Sequence, residues 1–514
     1  MSSESLEPKP EAEKHHAIAV STQEVDTGAQ LAAGFSGELD PEEALRIRRK
    51  IDWHILPLMF MLYWVQFMDK TTLGSAAIMG IITDTNLTNN QYNWLGTVFY
   101  LAYLSFEYPQ NLALQRFPVG KWMSINVFIW GIVLCCHAAC KNFAGLMVCR
   151  IMLGVCEGAI TAGFMIVTSM FYTRKEQTLR TGYWFLMNGT ALIIGGFISF
   201  GSLHIRTPGF ASWKWLMIIT GIITLVLAVC YWFLFPDSPT TAWFLTKDER
   251  IKAVNRIKEN QTGIENKKFK KEQMIEALQD PKTWIFAIFA ALTQIANSLT
   301  NQQSIILKSF GFTTLQTTLL NCAWGGITIF DIWSGVVLAA RFNQRAYVGV
   351  AYFIPSLVAI LIQNLLSGTA KVGLLITQLF VGIHITSFVL ALGWVGTVTA
   401  GHTKKVVTNA IMLSAYCIGN AAGPFMWQEK YKPRNHVPWI IICVCDIVAA
   451  ILLLVLRHIL AKENRKRDSE PTDDTYEDVY IERVSEDGAV TKVRVEKQFL
   501  DLTDRQNRDF RYVL

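Results

Sequence analysis

Charge is scarce in this sequence. Asp, Glu, Lys and Arg make up 17% of its 514 residues, where a soluble chain carries about 25%. The few charges gather in residues 1–52, 236–283 and 461–514 and leave long apolar blocks between them. Several blocks exceed the roughly 18 residues that mark a membrane-spanning helix, which excludes an ordinary soluble domain. Paired cysteines are also missing. Ten cysteines (Cys135, Cys136, Cys140, Cys149, Cys156, Cys230, Cys322, Cys417, Cys443 and Cys445) lie in or beside apolar runs, with no CxxC. That excludes a disulfide framework and leaves them as small, reduced apolar residues. No basic stripe with interleaved aromatics is present, so nucleic acid is excluded as a partner. No nucleophile–base–orienter set, metal-ligand spacing or phosphate loop is present either. The sequence therefore offers no catalytic residues, no metal site and no cofactor, and does not read as an enzyme. The opening MSSESLEPKPEAEKHH lacks the apolar core of a cleaved signal peptide, so the first span is expected to serve as targeting signal.

Long apolar runs are what the sequence does have. They fall near 55–80, 93–114, 122–140, 144–171, 181–204 and 213–235, then near 284–307, 315–340, 346–366, 371–396, 405–427 and 438–460. The fold class predicted is an all-α membrane protein of twelve transmembrane helices in two six-helix pseudo-symmetric halves. The expected divisions are a disordered cytosolic N-terminus (1–52), in which PEEALRIRRK (41–50) looks like a helix start, and a first half (53–235). A cytosolic linker (236–283), a second half (284–460) and a charged, solvated C-terminal tail (461–514) follow. Pro236 and Pro239 stop the sixth span. Thr246 and Glu249 form a capping box, and Ile251, Val254 and Ile257 recur at helical spacing, so the linker is expected to hold an amphipathic helix.

Lys and Arg in short loops set orientation. Arg116, Lys121, Arg174, Lys175, Arg180, Arg341, Arg345, Lys404 and Lys405 fall on one side, while DTNLTNNQYN on the other has no base. Both termini are therefore expected in the cytosol, in the plasma membrane. EKYKPR (429–434) is a basic exception outside, and Asn86 opens a glycosylation sequon there. The halves echo each other. LQRFPVGK (114–121) is answered by AARFNQRA (339–346), and TRKEQTLR (173–180) by TKKVVTNA (403–410). Glu107 and Asp331 precede their Arg-Phe pairs by nine and ten residues. Corresponding loops in two six-helix halves describe a transporter built from parallel repeats.

Ionisable residues inside a membrane are costly and usually face a bundle interior or a wet cavity. The stretch WVQFMDKTTLGSAAIMG places Asp69 beside Lys70. Neighbours on a helix diverge by about 100°, so each must find its own partner. Lys70 suits a carboxylate substrate, or an interhelical salt bridge that fixes packing. Arg150 and Glu157 stand seven apart on one helix face. Arg150 grips a carboxylate in bidentate fashion or snorkels to a helix end. A Glu in an apolar site takes and releases a proton near neutrality, or packs against a base. Glu107, before Tyr108-Pro109, is a second proton site or a structural carboxylate. Arg116, Lys121, Asp331 and Arg341 are gating candidates. His384 is a shuttle or simply hydrogen-bonded, and Asp446 has no assigned role. Gln294, Asn297 and Asn301 share one face of the seventh span and are expected to meet water or ligand. Asn321, Gln378 and Asn420 are weaker candidates. GNAAGPF (419–425) is expected to bend the eleventh span.

These residues carry a resemblance. QFMDKTTLGSAAIMG, FEYPQNLALQRFPVGKW, CRIMLGVCEGAITAGF with SMFYTRKEQTLR, PDSPTTAWFLTKDER, GFTTLQTTLL and AGHTKKVVTNA, with the terminal DFRYVL, resemble the major facilitator superfamily. Within it the likeness is to the fungal allantoate permease family of anion:cation symporters. The wider symporter group uses R-x-x-x-G-x-x-E-G in span four, which lands on Arg150, Gly154, Glu157 and Gly158, and a base in span one, where Lys70 stands. The resemblance implies anion contact by Lys70 and Arg150 and coupling through Glu157; apart from it, Asp69 and Glu107 are expected as further proton-coupling residues. The family's Gly-Asp-Arg loop after span two is degenerate here, because LQRFPVGK lacks the Asp. The expected function is proton-coupled uptake of a small organic anion such as allantoate or another ureide, a dipeptide, a vitamin or another carboxylate. The expected partners are that anion, protons and the lipid bilayer. The alternatives are an exporter of a metabolite or drug, and a nutrient sensor of the same fold.

Overall fold

A computed structural model describes residues 40–205, 207–257, 269–432, 434–471 and 501–514, together with the short strands Ile18–Ala19, Val479–Val484 and Val490–Arg494. These strands form one small sheet in the order they occur, parallel then antiparallel. The disorder expected over 1–40 otherwise lies outside the described residues. Residues 41–52, expected as part of that tail, are instead the first turns of a helix.

The first bundle holds α1 (Pro41–Met79), α2 (Asn89–Arg116), α3 (Val119–His137), α4 (Phe143–Phe171), α5 (Leu179–His204) and α6 (Ser212–Leu234). Two short helices follow, α7 (Lys247–Arg256) and α8 (Lys271–Gln279). The second bundle holds α9 (Pro281–Ser309), α10 (Thr314–Phe342), α11 (Arg345–Leu365), α12 (Lys371–Val398), α13 (His402–Met426) and α14 (His436–Asp468). Ten of the long helices are long and apolar enough to cross a membrane by length and composition. The exceptions are α1 and α2, which pack into the same bundle. Their polarity has a physical reason: Gln66 and Asp69 on α1, and Asn93, Glu107, Gln110 and Asn111 on α2, are all turned inward and buried. The outer faces stay apolar, with Phe233 72%, Phe330 67% and Leu365 84% exposed, as lipid requires.

Local chemistry sets the helix ends. Thr88 caps α2 and Thr313 caps α10, each in a capping box with the Gln three residues on. The box expected at Thr246 and Glu249 opens α7. Asp280 caps α9, with Pro281 in its first turn. Gly80 ends α1 at φ 113°, a left-handed conformation that favours glycine. At 39 residues α1 is about 58 Å long, so it projects past the hydrocarbon at the end that carries α7 and α8, here termed the linker end. The expected bend at GNAAGPF is a 3₁₀ turn over Gly423–Met426. The twelfth-to-tail expectation differs more. Residues 501–514 do not extend as a solvated tail; they pack into the linker end of the second bundle, with Thr503, Asp504 and Phe510 fully buried.

The bundles meet at three levels. Midway, Gly189 faces Gly325, and a Cβ on either would collide with the other's carbonyl oxygen; close helix approach needs glycine there. At the linker end the contacts are apolar, Gly182 against Val336 and Gly396 near Met165. At the opposite end they are hydrogen bonds. Thr97 Oγ1 donates to Ala421 O (3.0 Å), Gln302 Nε2 to Asn93 Oδ1 (3.3 Å) and Tyr92 Oη to Asn301 O (3.4 Å).

Candidate functional site

Helix geometry separates Asp69 from Lys70. Asp69 turns toward α6, where its Oδ2 accepts from Thr224 Oγ1 at 3.3 Å, while Oδ1 has no hydrogen-bond partner among the described residues. Lys70 turns toward α4, and its Nζ stands 3.8 Å from Glu157 Oε2. That oxygen also lacks a hydrogen bond among the described residues. Asp69 and Glu157 are each 1% exposed and Arg150 5%. Among the described residues Arg150 has no carboxylate within ion-pairing distance, although Glu157, Asp69 and Tyr92 lie within its electrostatic reach. Glycine lets this happen. Gly154 sits against the carbonyl of Phe99, where a Cβ would collide, so α4 presses on α2 and brings both its charged residues into the core.

The result is two carboxylates and Arg150 buried in one half, with Lys70 part-buried beside Glu157 and only loosely paired with it. Buried polar groups are normally satisfied, and a buried charge without a partner is expensive. Asp69 Oδ1 and Glu157 Oε2 are exceptions among the described residues, with Trp130 the polar neighbour of Asp69 and Gln66 that of Glu157.

The other predicted residues are distributed as follows. Glu107 makes no ion pair with Lys70 among the described residues; its Oε1 accepts from Asn111 Nδ2 at 2.7 Å, and its Oε2 has no hydrogen-bond partner there. Gln294 and Asn297 are bound within the second half: Asn297 Nδ2 donates to Asn420 Oδ1 and Asn420 Nδ2 to Gln294 Oε1, each at 3.0 Å. Asn301 crosses to the first half, where its carbonyl accepts from Tyr92 and packs against Gly74. The gating candidates do not converge. Arg116 and Arg341 are exposed and make no ion pair among the described residues. Lys121 caps the carbonyl of Trp232 and lies 4.7 Å from its ring centroid. Asp331 accepts from Thr386 Oγ1 at 2.9 Å. The acid missing from LQRFPVGK is supplied from a distance: Asp237 Oδ1 accepts from Gly120 N at 2.9 Å. His384 and Asp446 lie 3.9 Å apart, with Ser356 donating to Asp446 at 2.9 Å. Asn321 donates to Ser304, and Gln378 to Gln303.

One set escaped the sequence reading. Tyr100 and Tyr103 of α2 meet Tyr416 of α13 at ring separations of 6.0 and 6.3 Å, and Phe388 of α12 lies 5.6 Å from Tyr416. These rings form an aromatic seam between the halves, and Tyr100 lies within electrostatic reach of both Lys70 and Glu157.

Comparison with known proteins agrees with this architecture. Residues 59–424 match the Major Facilitator Superfamily. A thiamine pathway transporter of Saccharomyces cerevisiae is 36% identical over 496 residues, covering 95% of this chain and 90% of that protein. The allantoate permease of the same yeast is 32% identical over 490 residues, covering 93% and 88%. Its high affinity cysteine transporter is 29% identical over 491 residues, covering 93% and 92%. Among solved structures, a bacterial homolog to the human lysosomal transporter Spinster, in an inward-facing and occupied conformation, superimposes with a TM-score of 0.56 at 15% identity. The match covers 79% of this chain and 97% of that one, a likeness of fold. The chain belongs to the Major Facilitator Superfamily, among relatives that include the fungal allantoate permease, and it is a multi-pass membrane transporter and not an enzyme.

Proposed function

We propose that this transporter carries a small organic anion together with a proton into the cytosol across the plasma membrane, with both termini on the cytosolic side. The observation that carries the reading is the loose pairing of Lys70 with Glu157 beside an Arg150 that has no ion-pair partner among the described residues. With all four groups ionised, Lys70 and Arg150 balance Asp69 and Glu157. A monoanion entering this site leaves one negative charge in excess, and burying it uncompensated costs several kcal/mol. A proton on Glu157 restores the balance. It also frees the Lys70 ammonium to turn from Glu157 to the substrate carboxylate, which Arg150 grips in bidentate fashion.

The return step follows from the same balance. Once the anion leaves, Lys70 and Arg150 face only Asp69 as counter-ion and the site is one positive charge in excess, so Glu157 gives up its proton and draws Lys70 back. The aromatic seam closes the site between halves, and rocking of one half against the other opens it. The apolar contacts at the linker end part without leaving unpaired polar groups, whereas opening the opposite end breaks the three hydrogen bonds there. Sidedness rests on the Lys and Arg of the linker-end loops. The relatives, transporters named for allantoate, cysteine and the thiamine pathway, support a small ionisable nutrient as cargo.

The test is uptake in cells expressing the protein, in weakly buffered medium, over a panel of ureides, dipeptides and carboxylate vitamins. Accumulation of an anion accompanied by alkalinisation of the medium is expected. Accumulation without alkalinisation rules out proton coupling, and loss of a preloaded anion without any uptake reverses the direction.

A further inference from the structure

The last fourteen residues, DLTDRQNRDFRYVL, are polar by composition, yet they are among the best-anchored in the second half. Asp504 is fully buried. Its Oδ2 lies 2.5 Å from Lys282 Nζ, its Oδ1 lies 2.7 Å from Lys404 Nζ, and Tyr512 Oη donates to Oδ2 at 2.7 Å. Lys282 stands at the start of α9 and Lys404 at the start of α13, so one carboxylate joins the linker ends of two helices. Asp501 adds a second point, accepting from His402 N at 2.6 Å and pairing with Lys270 at 3.0 Å. The chain then reaches three more helices. Trp394 Nε1 of α12 donates to Val513 O at 2.7 Å, Arg467 of α14 donates to Phe510 O at 2.8 Å, and Arg345 N of α11 donates to Leu514 O at 2.8 Å.

A second, independent pattern gives this packing its meaning. The first half has a staple of its own, made by α7: Lys50 pairs with Glu249 and Lys252 with Glu43, each at 2.6 Å, while Arg256 pairs with Glu176 at 3.1 Å. Among the described residues every ion pair lies within one side of the chain, before residue 258 or after residue 268. Each half carries its own ionic fastening, and none of these pairs joins the two.

We propose that residues 501–514 are a C-terminal clasp, anchored by Asp504 on a two-lysine site formed by Lys282 and Lys404, which binds the linker ends of α9, α11, α12, α13 and α14 and makes the second half rock as one rigid body. The site is a receptor for a peptide with a buried acidic anchor and an aromatic follower, and its occupant is the chain's own end. Loss of the clasp leaves Lys404 with Asp280 (2.9 Å) and Glu276 (2.8 Å), but strips Lys282 of its closest acid and opens the helix ends to water.

The test uses the purified full-length transporter and does not depend on the substrate. Asp504→Asn keeps the shape of the anchor and removes its charge. Faster hydrogen exchange over 398–406 and 505–514 is expected, with a lowered melting midpoint and unchanged exchange in α7. Exchange and melting equal to the parent protein overturn the proposal. A chain ending at residue 500 provides the second arm. The synthetic peptide DLTDRQNRDFRYVL is expected to raise its melting midpoint, and the peptide carrying the Asp504→Asn change to bind at least about tenfold more weakly, the worth of one charge-assisted contact. Equal binding of the two peptides also overturns it. Should the truncated chain fail to fold, the Asp504→Asn exchange measurement still decides.

Discussion

Lys70 Nζ and Glu157 Oε2 face each other at 3.8 Å, close enough to attract and too far to hydrogen-bond. A tight pair would need to be broken for every turnover, and a distant one would not sense the other's charge. Glu157→Gln should therefore fix the site in its proton-loaded state. Exchange of internal for external anion is expected to persist, while accumulation against a gradient and its dependence on external pH are lost. The check is a comparison of net uptake with exchange between about pH 4.5 and 7.5, the range that brackets a carboxylate moved by burial. A pH profile matching the parent protein removes Glu157 from the coupling role.

Arg150 differs from Lys70 in lacking a close carboxylate among the described residues, so its donors are free for a ligand. Arg150→Ala should leave the protein in the membrane and reduce transport by roughly a hundredfold or more, the value of two charge-assisted hydrogen bonds. Arg150→Lys should restore charge but not the planar fork, so KM rises about tenfold with a smaller change in maximal rate. Surface labelling together with initial-rate uptake separates loss of function from loss of protein. Normal uptake in Arg150→Ala sinks the anion reading.

The legible parts of this molecule are those that depend on neighbours in sequence. Apolar runs of sufficient length, the capping box at Thr246 and the tightening at GNAAGPF are local, and the divergence of Asp69 from Lys70 follows from helix geometry alone. What escaped depends on residues brought from far along the chain. Asp504 lies 222 residues from Lys282, and nothing in DLTDRQNRD distinguishes a buried anchor from a solvated tail. The Asp that serves Gly120 comes from position 237, whereas the repeat echo points to Arg116 and Arg341, both left in the open. The seam of Tyr100, Tyr103 and Tyr416 carries no sequence signal either. Aromatics make up 12% of the chain, and their spacing does not reveal which of them meet across two halves.

Asn420 offers a test of the polar face on α9. It satisfies Asn297 with its oxygen and Gln294 with its amide, each at 3.0 Å, and removing both bonds leaves the buried Gln294 Oε1 and the part-buried Asn297 Nδ2 without these partners. Asn420→Ala should cost about 1–3 kcal/mol in stability, read as a lower melting midpoint in detergent. If Gln294 and Asn297 also serve the substrate, KM rises in the same variant. A stability loss with unchanged KM confines this trio to packing between α9 and α13.

The charge state of the clasp leads to a prediction about pH. Burial alone would raise the Asp504 carboxyl, but Lys282 and Lys404 outweigh it and hold the group well below the usual carboxylate range. A carboxylate depressed in the folded state contributes stability that is fully present above its unfolded value of about 3.9 and is lost only as pH falls through the lower, folded value. Glu276, Asp280 and Tyr512 face the same lysines, and Arg505 lies 3.7 Å from Asp280; none of these removes the two ammoniums that hold Asp504 ionised. The clasp should therefore stay shut across the whole cytosolic range, and pH dependence of transport is expected to arise elsewhere, first of all at Glu157. Hydrogen exchange over 505–514 is expected to show the same protection at pH 5.5 and 7.5, about 1.6 units and more above the unfolded value, once corrected for intrinsic rates. Loss of protection at pH 5.5 would mean that Asp504 takes up a proton far more readily than two neighbouring ammoniums allow, and that the clasp is itself a proton sensor.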